Sequence, residues 1–283
     1  GDTEYRRKEY LNAIKFYQQS VQYSPNYTDA IFRLAKTFYR IGDYQNAKIH
    51  LENNINLQSD NYQSLKMMGD IYKRQNDEDK SIDWYMRAIE ANPNYDKAYY
   101  SLGSSLMNKG DYEEARSALT QAIMINPQYS KAYETLGVLY VQLNNHDLAI
   151  DNFIQATITD SDAYIAYYRL SGEYNVLKKY KDAREAAKSC LKIKINYAGA
   201  HFELGMAEKA LGNKVAALAS FEEASKDKNW RKNAKYERII GLTASPGSEI
   251  EKISEVCKNL YSEEIEIRTE KDPDVKPYIK KVD

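Results

Sequence analysis

One period governs what this chain can fold into. From Asp96 to Tyr129 the sequence reads DKAYYSLGSSLMNKGDYEEARSALTQAIMINPQY, and moving 34 residues either way returns the same small, aromatic and proline addresses. With Asp96 as position 1, position 8 reads Gly1, Ala35, Gly69, Gly103, Gly137, Ser171 and Gly205. Position 20 reads Ala13, Ala47, Ser81, Ala115, Ala149, Ala183 and Ala217, and position 24 reads Tyr17, Leu51, Tyr85, Leu119, Phe153, Ala187 and Phe221. Position 27 is again small in most units, and Pro25, Pro93 and Pro127 share position 32. A unit of this length cannot bury its own apolar face, so the repetition predicts a solenoid of stacked units that grows by length.

Within one unit, Ala98, Tyr99, Leu102, Leu106 and Met107 follow helical spacing, and Ala115, Ala118, Leu119, Ala122 and Ile123 resume it after a break. The unit is therefore a helical hairpin. Gly110 is suited to the left-handed conformation that ends the first helix, and Asp111 to capping the second, with Glu114 completing a capping box. Small residues at positions 8 and 20 let the two backbones approach, while large side chains at 4, 7, 11 and 24 fill the space between helices. Proline at position 32 stops the second helix. A tyrosine at 34 (Tyr27, Tyr95, Tyr129, Tyr197) is placed to pack over the start of the next unit, like a hydrophobic staple.

These addresses resemble the tetratricopeptide repeat: aromatic or aliphatic at 4, Leu at 7, Gly or Ala at 8, Tyr at 11, Ala at 20, aromatic at 24, Ala at 27 and Pro at 32. The resemblance covers six registers, 28–61, 62–95, 96–129, 130–163, 164–197 and 198–231, with a partial one over 1–27. It implies an all-α fold, a right-handed α-α superhelical solenoid of helical hairpins. Some units depart from the pattern. Ser59, Ser161 and Ile195 replace the proline, Ala187 leaves position 24 small, and the last register puts Glu208 at 11 and Lys214 at 17.

The register bounds the rest of the chain. Gly1 falls at position 8, so the sequence starts within a first helix, and it reads as a piece of a longer protein. After Arg231 the repeat fades. Asn233 to Leu242 predicts one more short helix before Pro246 and Gly247. A capping helix is expected next, with Ser248 at its start and Ile250, Ile253, Val256, Cys257 and Leu260 on one stripe, so that 232–262 closes the solenoid. Residues 263–283, charged and carrying Pro273 and Pro277, are expected to form a polar extended tail.

Catalytic chemistry finds little purchase, and the expected answer is a non-enzyme without cofactor or metal. Cys190 sits at position 27 and Cys257 on the capping stripe, addresses that want small buried groups. His50, His146 and His201 all occupy repeat addresses, and no two have metal-ligand spacing. The stretch from Gly241 to Ser248 lacks the Gly-Lys-Ser/Thr ending of a phosphate loop. Asn26-Tyr27-Thr28 is a glycosylation sequon by pattern alone. The net charge of −1 argues against non-specific nucleic-acid binding, and no apolar run is long enough to span a membrane. The chain reads as soluble, cytoplasmic or periplasmic, with no compartment fixed.

What remains is surface. The resemblance implies that first helices line a concave groove through positions 2, 5, 9, 12 and 13, and that the groove holds peptides or partner helices. Toward the N-terminus these addresses give Arg6, Phe32, Lys36, Tyr39, Arg40, Lys66, Lys73, Arg74, Lys97 and Tyr100. Toward the C-terminus they give Val138, Val141, Ile165, Tyr168, Val176, Phe202 and Met206, an apolar stretch expected to be covered by a partner, a second copy or the chain's own tail. Over the whole groove nine cations, with Lys131 and Lys209, face Asp2, Asp29, Asp70 and Glu134 on a chain of net −1. Arg6, Arg40 and Arg74 share position 13 of consecutive registers and suggest a ladder for an acidic segment. The alternative is that each arginine only satisfies carbonyls at its own helix end. Family members that clamp chaperone tails use Lys at 5 with Asn at 9, Asn at 6 of the next unit, and Lys at 2 with Arg or Lys at 6 of the third. Here Lys66 is followed by Asp70, Ser101 and Thr135, which disfavours that ligand. The expected function is a scaffold that binds a partner protein or peptide. The rivals are the substrate-selecting repeats of an enzyme whose catalytic domain lies elsewhere, and a sensor of small molecules or glycans.

Overall fold

The computed structural model describes residues 1–243, with side chains described to residue 238. Every regular element among them is an α-helix: α1 Asp2–Arg6, α2 Tyr10–Tyr23, α3 Thr28–Arg40, α4 Tyr44–Leu57, α5 Tyr62–Arg74, α6 Glu78–Ala91, α7 Asp96–Lys109, α8 Tyr112–Ile125, α9 Ser130–Gln142, α10 His146–Thr159, α11 Tyr164–Val176, α12 Tyr180–Ile193, α13 Ala198–Ala210, α14 Lys214–Ser225 and α15 Arg231–Thr243. First helices from α3 onward begin every 34 residues, as the period requires. The expected capping helix over 248–262, the tail and Cys257 lie outside the described residues.

The turn inside each hairpin is the same device seven times. Lys8, Gly42, Asn76, Gly110, Asn144, Lys178 and Gly212, all at position 15, have positive φ between 55° and 95°. The next amide then donates back to the carbonyl of position 11: Asp43 to Phe38 at 2.9 Å, Asp111 to Leu106 at 3.0 Å, Lys179 to Tyr174 at 2.8 Å. This is a Schellman ending, which satisfies carbonyls that the first helix would otherwise leave open. Gly110 is the turn expected from the sequence, and Gly42 and Gly212 at the same address repeat it. Capping of the second helix is less uniform. Asp43, Asp77 and Asn145 accept an amide three residues on, at 3.1–3.2 Å. Asp111 stands at the N-cap but takes no such bond, and the capping box with Glu114 does not form. Lys109 pairs with Asp79 at 2.8 Å and lies 3.7 Å from the Asp111 carboxylate.

Packing follows the alternation of large and small, with one refinement. A Cβ added at Gly137 would sit 2.6 Å from the Phe153 ring, one at Gly69 2.5 Å from Tyr85, and one at Gly205 2.6 Å from Phe221. Position 8 is therefore small chiefly to seat the ring at position 24 of its own hairpin. The position 20 carbonyls of Ser81 and Ala115 lie behind, 3.1 Å from the Cβ sites of Gly69 and Gly103. Ala13, Ala47, Ala115, Ala149 and Ala183 at position 20 are fully buried, as are Tyr85, Leu51 and Leu119 at position 24. Asn54 replaces the usual alanine at position 27. It is also fully buried, donates to the Thr28 carbonyl and accepts from Ser64 Oγ at 3.2 Å, so its polarity is met.

The position 34 tyrosines turn back rather than forward. Tyr95 packs edge-on against Tyr62 at 4.7 Å between centroids, Tyr129 against Tyr100 at 5.1 Å, and Tyr197 against Tyr164 and Tyr168 at 5.3 and 5.2 Å. Tyr95, Tyr129 and Tyr197 thus clamp the first helix of their own unit, edge-to-face for Tyr95 and Tyr197 and tilted for Tyr129. The staple over the next unit is corrected accordingly. The chain divides into two compact units, residues 1–160 and the part from Ser161 onward. Hairpins α1/α2 to α9/α10 stack in the first. Hairpins α11/α12 and α13/α14 stack in the second, followed by α15, whose Ala234 is buried with Ala217, Phe221 and Ala224.

Candidate functional site

In the first unit, helices α3, α5, α6 and α7 surround an open hollow of about 530 Å³ lined by Tyr39, Lys66, Asp70, Lys73, Arg74, Asn76, Tyr85, Tyr100, Ser101 and Ser104. Three cations face one carboxylate. Lys66 pairs with Asp70 at 2.8 Å, one helical turn apart, and the Tyr85 hydroxyl donates to the same aspartate at 2.9 Å. Burial and the Asp70 charge push the Tyr85 phenol well above its usual range, so it stays a neutral donor. Lys73 Nζ donates to Ser104 Oγ at 2.7 Å, and its burial lowers its pKa. The Glu78 and Asp70 charges nearby offset part of that burial cost, and the Lys66 charge adds to it. Arg74 lies at the rim, with Nε 3.5 Å from the Tyr39 hydroxyl.

A second, smaller hollow of about 180 Å³ lies between α1, α2 and α3, lined by Asp2, Tyr5, Arg6, Tyr17, Arg33 and Lys36. Tyr17 donates to Asp2 at 2.5 Å, and Arg33 reaches Asp2 at 3.1 Å and Asp29 at 2.8 Å. The Tyr17 bond, aided by Arg33, holds the Asp2 carboxyl below its usual range. Lys36 stands 5.5 Å over the Tyr5 ring.

The structure gathers Tyr39, Lys66, Lys73, Arg74 and Tyr100 into one hollow and Arg6 and Lys36 into the other. Phe32, Arg40 and Lys97 line neither. Arg40 and Lys97 are exposed and Phe32 is half-buried. Sequence reasoning passed over Tyr17, Tyr85, Arg33 and Ser104. Position 24 places the first two in the core by address, and only the joint presence of Tyr at 24 and Asp at 9 in the same unit marks them as more. Val138 and Val141, further along the first unit, are half-buried.

In the second unit the apolar addresses are partly closed from within. Trp230, between α14 and α15, lies 5.0 Å from Phe202 and 6.4 Å from Tyr168, ring to ring. Gly199 makes room for it, since a Cβ there would meet Tyr168 at 2.9 Å and Trp230 at 3.3 Å. Ile165 and Met206 are half-buried, and Val176 is exposed. Glu203 is bonded by Asn175 Nδ2 at 2.8 Å, and burial, with the Glu173 charge adding to it, raises its pKa. Cys190 is fully buried, which pushes its thiol up to about 11 and makes it a poor nucleophile. Among the described residues no cluster of three His, Cys, Asp or Glu side chains is placed to hold a metal ion, and no helix is long and apolar enough to cross a membrane.

Models of a TPR repeat match residues 69–110, and models of a tetratricopeptide repeat match 29–53, 96–129 and 134–198. Among solved structures, MamA is 26% identical over 60% of this chain and 98% of its own, with a TM-score of 0.53. PilF of Pseudomonas aeruginosa is 14% identical over 77% of this chain and 97% of its own, at 0.67. YrrB, described as a TPR protein with an unusual peptide-binding site, is 17% identical over 66% and 96%, at 0.56. Identities that low speak for the fold alone. A short stretch is similar to helicases. It is 66% identical over 44 residues to a putative ATP-dependent RNA helicase of Methanocaldococcus jannaschii, 16% of this chain and 6% of that protein. It is 47% identical over 51 residues to an ATP-dependent DNA helicase of Saccharomyces cerevisiae, 18% of this chain and 5% of that protein. The chain thus spans a small fraction of these relatives' length.

Proposed function

Because the chain belongs to the tetratricopeptide repeat family, whose fold supports protein-interaction scaffolds, we propose that it binds an acidic segment of a partner protein along the first helices of residues 1–109. The observation that carries this reading is the larger hollow, where Lys66, Lys73 and Arg74 outnumber Asp70 and tyrosine rings from α3 and α7 flank them. Cations on a rigid helical face, with aromatic walls beside them, suit carboxylates presented by an extended chain. Among the described residues Arg74 reaches the Tyr39 hydroxyl rather than the carbonyls at its own helix end. The test is binding of a labelled glutamate-rich peptide by the parent and by a variant with Arg6, Arg40 and Arg74 replaced by alanine. The parent should bind more weakly as salt rises, and the variant should bind weakly throughout with a flatter salt dependence. Equal affinity of a well-folded variant rejects the reading.

A second reading is favoured by the helicase similarity: these repeats select substrates for a nucleic-acid-dependent ATPase within a longer polypeptide. ATP hydrolysis by the natural full-length gene product, measured with and without duplex nucleic acid, tests it. A full-length product without such activity removes it.

A further inference from the structure

The two hollows of the first unit are one design used twice. Tyr17 and Tyr85 share position 24, Asp2 and Asp70 share position 9, and in each case the hydroxyl donates to the aspartate of its own hairpin. Arg6 and Arg74 share position 13 beside them, and the next hairpin contributes its positions 6 and 9, Arg33 and Lys36 in one hollow and Ser101 and Ser104 in the other. Each hollow sets three cations against one aspartate. The hairpin between them breaks the pattern. It has Lys36 at position 9 and a fully buried Leu51 at position 24, and Arg40, its position 13 residue, lines neither hollow.

From this alternation we infer that the first unit is a two-point dock, and that its partner presents two acidic groups about two repeats apart on one extended strand. The inference rests on the reading of this face as a dock for an acidic segment and adds its spacing. In each hollow the aspartate is engaged by its tyrosine and by one cation, Arg33 or Lys66. Arg6 and Lys36 in the first, and Lys73 and Arg74 in the second, enter no ion pair among the described residues, so each hollow keeps a positive surplus for a ligand. Packed helices lie about 10 Å apart, so two steps along the first helices span roughly 20 Å. An extended chain covers that with about six residues at ~3.3 Å each. Two weak carboxylate contacts tied by such a linker gain from effective concentration, whereas one contact alone does not.

The experiment is fluorescence anisotropy with the full chain and synthetic peptides carrying two Glu-Glu pairs in a Gly-Ser background, separated by three, six or thirteen residues, beside a peptide with one pair. Separations by six and by thirteen, both able to span roughly 20 Å, should bind at least about tenfold tighter than separation by three, which cannot reach. Arg6→Ala or Arg74→Ala should each reduce the six-residue peptide to the level of the single pair, and Arg40→Ala should leave its advantage standing. If affinity follows total glutamate content whatever the spacing, or if Arg40→Ala weakens binding as much as its neighbours do, the two-point dock is wrong although an acidic partner stands. If no peptide responds to any of the three arginines, the acidic reading of the face fails with it.

Discussion

At the scale of single residues, position 15 shows how the fold can hold a side chain where its own preference is against it. Lys178 has φ of 59°, in the left-handed region, because the turn it closes is fixed by the bond from Lys179 N to Tyr174 O at 2.8 Å. Left-handed backbone is unfavourable for residues with a Cβ by about 1–2 kcal/mol, partly offset in glycine by the entropy it loses on folding. Lys178→Gly should therefore raise stability by up to about 1 kcal/mol, and Lys178→Val should lower it, in urea unfolding monitored by circular dichroism. A glycine variant less stable than the parent would mean the turn is not strained. Gly42, Gly110 and Gly212 carry the sequence signal for this turn, and asparagine at the same address a weaker one, whereas lysine carries none. The same limit hid the Tyr–Asp pairs. A tyrosine at position 24 fills the core with its ring, and nothing local says that its hydroxyl reaches position 9.

At the scale of the hairpin, most of the architecture was legible, because the period of 34 assigns every helix and the small and large addresses identify the contact between its two members. What stayed hidden was direction. A tyrosine at 34 has edge-to-face partners on its own first helix, and the sequence offers no reason to prefer them over the next unit. The contact at position 8 can be tested against helix propensity. Gly137→Ala should destabilise by about 1–3 kcal/mol, because the new Cβ would fall 2.6 Å from the Phe153 ring, although alanine in a helix is otherwise worth about 1 kcal/mol more than glycine. Gly172→Ala is the control. Its nearest neighbour would be Glu203 at 3.7 Å, an ordinary contact, so this variant should be neutral or more stable. Thermal melts of the two in the same direction would refute the assignment of position 8 to the ring at 24.

At the scale of the whole molecule, the net charge of −1 conceals an uneven distribution that the repeat makes readable. Arg6, Arg40 and Arg74 at address 13, with lysines spread over addresses 2, 5, 9 and 12, concentrate cations in the first unit, while the second unit places Phe202, Tyr168 and Trp230 together. The positive half was visible from the sequence as a list of residues. Its division into two hollows was not, because that depends on which tyrosines reach back to which aspartates. The apolar half was visible too, but Trp230 stands outside the repeat pattern and its place against Phe202 had no signal. The central claim is that an acidic segment lies on the first helices of the first unit, and amide chemical-shift mapping with a glutamate-rich peptide tests it most directly. The account predicts shifts concentrated at residues 2–6, 33–39, 66–74 and 101–104, on α1, α3, α5 and α7, with little change on α4 and α8. Shifts confined to those second helices, or spread evenly over the chain, would contradict it.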